Sequence, residues 1–192
     1  KKYPDYAKAR RAAITSRDAS AEKGTKRHGL LEEYIHLMIR DQDGRPLLMN
    51  DDPTHYWKPI EMFIKWAHEN IKQFYFAEAN CYDENLWVGG IADIGLQMKD
   101  GKRLIGDHKS SKEAYPDQFL QCAIYDRLLN HSGGLDKDGN KLFDWELADV
   151  YVVFPFRSDP FTPEFKWDVE GWRTAVDWTV GLYKLLDVNE LT

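Results

Sequence analysis

Between residues 72 and 110 the chain carries three strand-like segments in succession, and the last two are joined so tightly that the turn sets their register. Residues 72–82 (KQFYFAEANCY) are aromatic-rich and strand-like, and 86–98 (LWVGGIADIGLQM) and 102–110 (KRLIGDHKS) read as a second and a third strand. Lys99-Asp100-Gly101 reads as a hairpin turn, with Gly101 suited to a left-handed backbone position. A three-residue turn pairs Met98 with Lys102 and sets Asp93 opposite Asp107. A two-residue turn would put His108 opposite Asp93 and send the carboxylates to different faces. Asp107 and Lys109, two apart on one strand, share a face. An odd-length turn or a bulge therefore gathers Asp93, Asp107 and Lys109 together, on a face that also carries Ile91 and Ile105.

The rest of the chain reads mostly as helix. Residues 5–20 suggest a short basic helix. Residues 22–40 suggest a second, whose apolar stripe is Leu31, Tyr34, Ile35 and Met38. Residues 41–57, with Asp43-Gly44, Pro46 and Pro53, read as loop, and Pro59 opens a helix to about Asn70. After the three strands come a helix over 116–131 with Leu120, Ile124 and Leu128 in line, and a loop from Gly133 to Asn140. A fourth strand follows over 145–156, then a helix over 169–187 with a stripe of Trp172, Val176, Thr179, Leu182 and Leu186. The order α-α-α-β-β-β-α-β-α predicts an α/β fold, a mixed central sheet flanked by helices. At 192 residues, the chain is expected to form a single domain over 1–192, with 1–21 as a basic helical extension.

Composition narrows the function classes. The chain is 43 % hydrophobic with no apolar run near the ~18–20 residues that span a bilayer, so no membrane is expected. Two cysteines, Cys81 and Cys122, are too few for a disulfide framework or an iron–sulfur cluster, and both read as reduced core residues of a cytoplasmic protein. Net charge is −6, yet residues 1–30 hold nine basic and three acidic side chains, an asymmetry that suits a local phosphate-facing patch. There is no Walker loop, no G-x-G-x-x-G and no G-x-S-x-G; Asp136 to Gly139 and Asp41 to Gly44 lack the alternation of a calcium loop.

Two carboxylates and an ammonium beside core are costly unless they neutralise something, and a divalent cation suits carboxylate oxygens. Lys109 could then hold a phosphate oxygen. His28 and Glu32, one turn apart, could complete such a site from the second helix. Gln118, Gln121 and Tyr125 follow one side of the later helix, where amides and a phenol could reach phosphates or bases. Each piece alone has an ordinary explanation. Asp-x-Lys on a strand is usually an exposed ion pair, and His/Glu at i, i+4 a surface hydrogen bond.

Gly24, His28 and Glu32, then Gly89 to Asp93 (GGIAD), then Ile105 to Ser110 (IGDHKS), then Tyr115, Gln118, Gln121 and Tyr125 stand in a fixed order. Together they resemble the PD-(D/E)XK nuclease superfamily, most closely the branch with the RecB nuclease domain, Cas4 and phage-type exonucleases. The resemblance covers about residues 22–130. It implies a restriction-endonuclease-like αβββαβ core, with which the later strand and helix are compatible. It implies that Asp93 and Asp107 bind metal, that Lys109 is catalytic, and that Glu32 and His28 are the acidic residue and histidine of the first core helix. Gln121 and Tyr125 match its Q-x₃-Y motif. His108 replaces a common Tyr and faces away from Asp107, although its main-chain carbonyl could ligate metal. The cysteines that hold a cluster in Cas4 are missing, so no iron–sulfur cluster is expected.

The expected function is therefore a Mg²⁺- or Mn²⁺-dependent deoxyribonuclease, an exonuclease in recombination, repair or phage DNA processing. A His ligand favours Mn²⁺. Lys26, Arg27 and Ser110, with Gln118, Gln121 and Tyr125, are the expected substrate contacts. A structure-specific endonuclease, or a non-cleaving DNA-binding subunit of a larger machine, are the alternatives. DNA is the expected partner, and a homo-oligomer or a helicase or recombination partner is compatible with the resemblance.

Overall fold

The structure is a computed structural model. It describes residues 29–36, 38–39 and 57–190. The basic helix expected over 5–20, most of the loop expected over 41–57, and His28, Lys26 and Arg27 lie outside the described residues.

Residues 29–36 and 38–39 are helical (α1), and Leu31, Tyr34 and Ile35 are buried as their spacing predicts. Helix α2 spans Trp57–Asn70, opening two residues before Pro59. It buries Ile60, Phe63, Ile64 and Ala67, an i, i+3, i+4, i+7 stripe. Strand β1 (Ile71–Asp83) follows without a loop, then β2 (Val88–Met98) and β3 (Arg103–Lys109). After helix α3 (Pro116–Ser132) come β4 (Gly134–Leu135), β5 (Lys141–Phe143), β6 (Val150–Pro155), β7 (Glu164–Lys166) and helix α4 (Val169–Glu190).

The seven strands form one sheet in the order β5-β4-β1-β2-β3-β6-β7. Only β3 and β6 pair in parallel. All six residues of β6 are buried, the continuous apolar run of a strand covered on both faces. On one face, α1 and α2 pack over Phe74, Ile94, Leu96, Leu104, Val152 and Phe154. On the other, α3 and α4 pack over Phe76, Ala92, Ile105, Tyr151 and Val153. The molecule is a mixed α/β fold with, among the described residues, four helices.

Several local expectations need correction. The fourth strand begins at Val150, not 145, because residues 145–149 leave the sheet to reach α3. The segment from Gly133 to Asn140 is not all loop. Gly134–Leu135 pairs with the edge of β1 and with β5. Strand β7 extends the opposite edge. Helix α3 buries Phe119, Cys122, Ala123, Asp126, Leu128 and Leu129, so its inner face is rotated away from Leu120 and Ile124. On α4 only the first part of the expected stripe is covered: Val176 is buried, whereas Thr179 and Leu182 are exposed. Ile91 is exposed as well.

Candidate functional site

The β2–β3 turn has the odd length that the site requires. Met98 N–H donates to the Lys102 carbonyl at 2.9 Å, and Gly101 takes φ +95°. The ladder then runs Gln97↔Arg103, Leu96↔Leu104, Gly95↔Ile105 and Ile94↔Gly106. It ends there, one pair short of Asp93 and Asp107. The Asp93 carboxylate takes over as acceptor, its Oδ2 receiving the His108 N–H at 2.9 Å. Within a strand residue, N–H and C=O point to the same side, so the His108 carbonyl points to the β2 side as its N–H does. The next carbonyl, that of Lys109, faces the other way and accepts the Phe156 N–H at 2.9 Å.

Strand alternation sends Asp107 and Lys109 toward α3. Asp107 is 1 % exposed. Its Oδ2 lies 2.7 Å from Lys109 Nζ, while its Oδ1 is buried without a hydrogen-bond partner. Lys109 Nζ also donates to Gln121 Oε1 at 2.9 Å, and Gln121 Nε2 donates to the Tyr125 hydroxyl at 3.0 Å. Burial first, and the Asp93 carboxylate second, push Asp107 up to about 7, against the pull of Lys109. For Lys109, burial acts to lower the ammonium, but the Asp107 carboxylate outweighs it and holds the group above its ordinary value. Burial likewise raises the Tyr125 phenol, which stays neutral as a hydrogen-bond acceptor.

His108 projects to the opposite face, its ring packed against Phe63, Phe154 and Phe156 with centroids 5.4–5.7 Å away. Glu32, from α1, lines a small cavity on that face with Ile35, Ala77, Glu78, Asp93 and His108. Asp93 thus stands at the boundary, touching Asp107 and Lys109 electrostatically on one side and the Glu32 cavity on the other. A local irregularity makes this possible. Ala79↔Ala92 and Ala77↔Ile94 are paired but the residues between them are not, and Glu78 there has φ +49°. Ala92 faces α3, whereas Ile94 faces α1 and α2.

Asp93, Asp107, Lys109, Gln121 and Tyr125 are therefore brought together, while Glu32, 3.5 Å from the His36 ring, lines the small cavity on the other face of Asp93. Gln118 is placed differently. Its Oε1 accepts the Tyr115 N–H at 3.0 Å and closes the first turn of α3. Ser110 is exposed just beyond Lys109. Glu78 is an acidic neighbour of the site that strand alternation does not reveal, because the signal is a local break in that alternation.

Carboxylate oxygens and an orphaned buried acceptor suit a hard divalent cation. Among the described residues, the one preassembled group of three candidate ligands lies elsewhere: Asp83 and Glu84 at the end of β1, with His131 of α3. Its groups already have partners. Glu84 pairs with His131 at 2.7 Å, and Asp83 Oδ1 accepts the N–H groups of Asn85 and Leu86. Two further expectations concern envelope rather than site. Cys81 and Cys122 are both buried and free, and no described helix is long and apolar enough to cross a membrane. No family model matches this chain, and no curated protein matches it.

Proposed function

We propose that this chain is a metal-dependent deoxyribonuclease that hydrolyses phosphodiester bonds, an exonuclease of DNA recombination, repair or phage DNA processing. Its αβββαβ order from α1 through β1–β3 and α3 to β6 supports a restriction-endonuclease-like core. One observation carries the reading. Asp107 is fully buried, holds a lysine on one oxygen and has no hydrogen-bond partner on the other, and faces a second carboxylate, Asp93. A pair that served stability alone would leave no buried acceptor open.

Asp93, Asp107 and the His108 carbonyl would hold Mg²⁺ or Mn²⁺, with Glu32 beside Asp93 and His28 as a further ligand. A divalent ion there supplies Lewis acidity toward water and neutralises charge on the phosphate. The chain's own residues do the rest. Lys109 has three N–H donors, and Asp107 and Gln121 engage two. The third is directed to a phosphate oxygen, where it stabilises the negative charge that builds up during attack. Ser110, exposed beyond Lys109, meets the substrate backbone, and Lys26 and Arg27 guide phosphates toward the site. Helicase or recombination partners, or self-assembly around DNA, fit this activity.

The test uses a linear duplex labelled at both ends beside a covalently closed circle, with Mn²⁺, Mg²⁺ or EDTA. Metal-dependent loss of the linear substrate alone is expected, and Lys109→Ala or Asp107→Ala should reduce it at least 100-fold. Cutting of the circle would replace exonuclease with endonuclease. Full cleavage by clean preparations of either variant would end the reading, and binding without cleavage would make the protein a DNA-gripping subunit.

A further inference from the structure

We infer that Gly90 is a positioning residue of the site, acting on Lys109 through Tyr125 and Gln121. Three contacts in series make the link. The Tyr125 ring lies over Gly90 so closely that a Cβ on Gly90 would stand 2.7 Å from Tyr125 Cε1. The Tyr125 hydroxyl accepts from Gln121 Nε2, which turns the other end of that amide, Oε1, toward Lys109 Nζ. A neutral acceptor at 2.9 Å gives the ammonium a second anchor beside Asp107. A ring pushed out by a methyl group at residue 90 would carry its hydroxyl away from Gln121. The amide would then be free to rotate, and Lys109 would lose one of its two anchors.

Gly90 is not held by backbone conformation, since it is not among the residues with positive φ. Space alone requires glycine there. Its neighbour Gly89 is a matched control on the same strand. A Cβ on Gly89 would meet only ordinary contacts, 3.4 Å from the Cys81 carbonyl oxygen and 3.5 Å from Tyr82 Cβ. Both substitutions remove the conformational freedom of one strand glycine, so their difference isolates the contact with Tyr125.

This inference rests on the nuclease reading only for its activity arm. The direct arm follows Lys109 itself, by ¹³C,¹⁵N-lysine labelling of the full chain and the position of the Lys109 side-chain NMR resonance at one fixed pH, assigned with Lys109→Arg. Gly90→Ala should move that resonance and lower kcat by about tenfold with KM nearly unchanged, a size in keeping with loss of one anchoring hydrogen bond. Gly89→Ala should move neither. A double-mutant cycle guards against simple misfolding. In the Tyr125→Leu background the ring is gone, so Gly90→Ala should have no further effect on the Lys109 signal. The inference is overturned if Gly90→Ala matches Gly89→Ala, or if its effect persists undiminished when Tyr125 is replaced. If no form of the protein cleaves DNA but the Lys109 signal still moves only in Gly90→Ala, the nuclease reading fails and the positioning role stands.

Discussion

Asp126 and Asp107 are both buried aspartates facing the layer between α3 and the sheet, and their surroundings differ in kind. Asp126 is 0 % exposed and meets four donors: Trp145 Nε1, Ala148 N–H, the Tyr151 hydroxyl and the Arg173 guanidinium, all at 2.9–3.0 Å. These donors come from the segment before β6, from β6 and from α4, so one carboxylate joins three parts of the chain to α3. Asp107 is equally buried and has one lysine and an open oxygen. A satisfied buried carboxylate specifies structure, whereas one that lacks donors is kept at a cost in stability and is available to a cation.

Breaking the satisfied carboxylate should have the largest effect. Asp126→Ala removes the acceptor for four donors and leaves the part-buried Arg173 guanidinium with only the exposed Glu170 as its carboxylate partner. Loss of one partner of a buried pair costs about 3–5 kcal/mol. For a chain of this size, that lowers Tm by roughly 10 °C. Thermal unfolding followed by circular dichroism checks it, and a drop of under 2 °C would mean that the network carries no load.

Removing the charge of the unsatisfied carboxylate should have the opposite sign. Asp107 has a folded pKa of about 7, above the ~3.9 of an unfolded aspartate. The folded state therefore holds the proton more tightly. As pH rises from about 4 to about 7, the unfolded chain releases it first, and this group's contribution to stability falls across that window and levels off above it. Asp107→Asn should thus stabilise the metal-free protein by about 1–3 kcal/mol at pH 8 and leave it nearly unchanged at pH 4. Urea midpoints in EDTA at the two pH values measure this. Mn²⁺ should raise the wild-type midpoint at pH 8 and raise that of Asp107→Asn much less, because a ligand stabilises only the state that binds it.

Glu78 tests how far the acidic region around Asp93 extends. It lines the cavity with Glu32 and Asp93, from a backbone position with φ +49°. Glu78→Gln keeps the shape and removes one negative charge, so Mn²⁺ affinity measured by electron paramagnetic resonance should fall by about three- to tenfold, roughly 1 kcal/mol. An unchanged affinity would confine the proposed cation site to Asp93, Asp107 and Glu32.

The two aspartates were not equally legible in the sequence. Asp107 and Lys109 share a strand face by alternation, and the length of the 99–101 turn dictates their register against β2, so local rules suffice. Gln121 and Tyr125, one helical turn apart, fall in line by the same logic. Asp126 carries no such signal. Its donors lie 19 to 47 residues away, and only the completed fold brings them together. Strands β4, β5 and β7 are two or three residues long, too short for any periodicity, and exist because an open sheet edge lies beside them. The inner face of α3 is hidden for a related reason. Gln118 and Asp126 sit on it with their polar atoms satisfied, so it does not read as an apolar stripe.

The smallest expected effect separates the two sites most cleanly. Tyr151→Phe deletes one of the four donors to Asp126 and nothing else, since the ring stays in place. Burial first, and the Asp126 carboxylate second, hold the Tyr151 phenol far above its ordinary range, so it is a donor at every working pH. Three donors remain on Asp126, and the carboxylate is not left bare. The cost should be about 1 kcal/mol in a urea titration, independent of pH between 5 and 8. It should also be unaffected by Mn²⁺, because the change lies in the satisfied network. A loss that grew with pH or shrank with Mn²⁺ would mean that the two carboxylates communicate through α3. Asp126 would then belong to the site rather than to the frame that holds it.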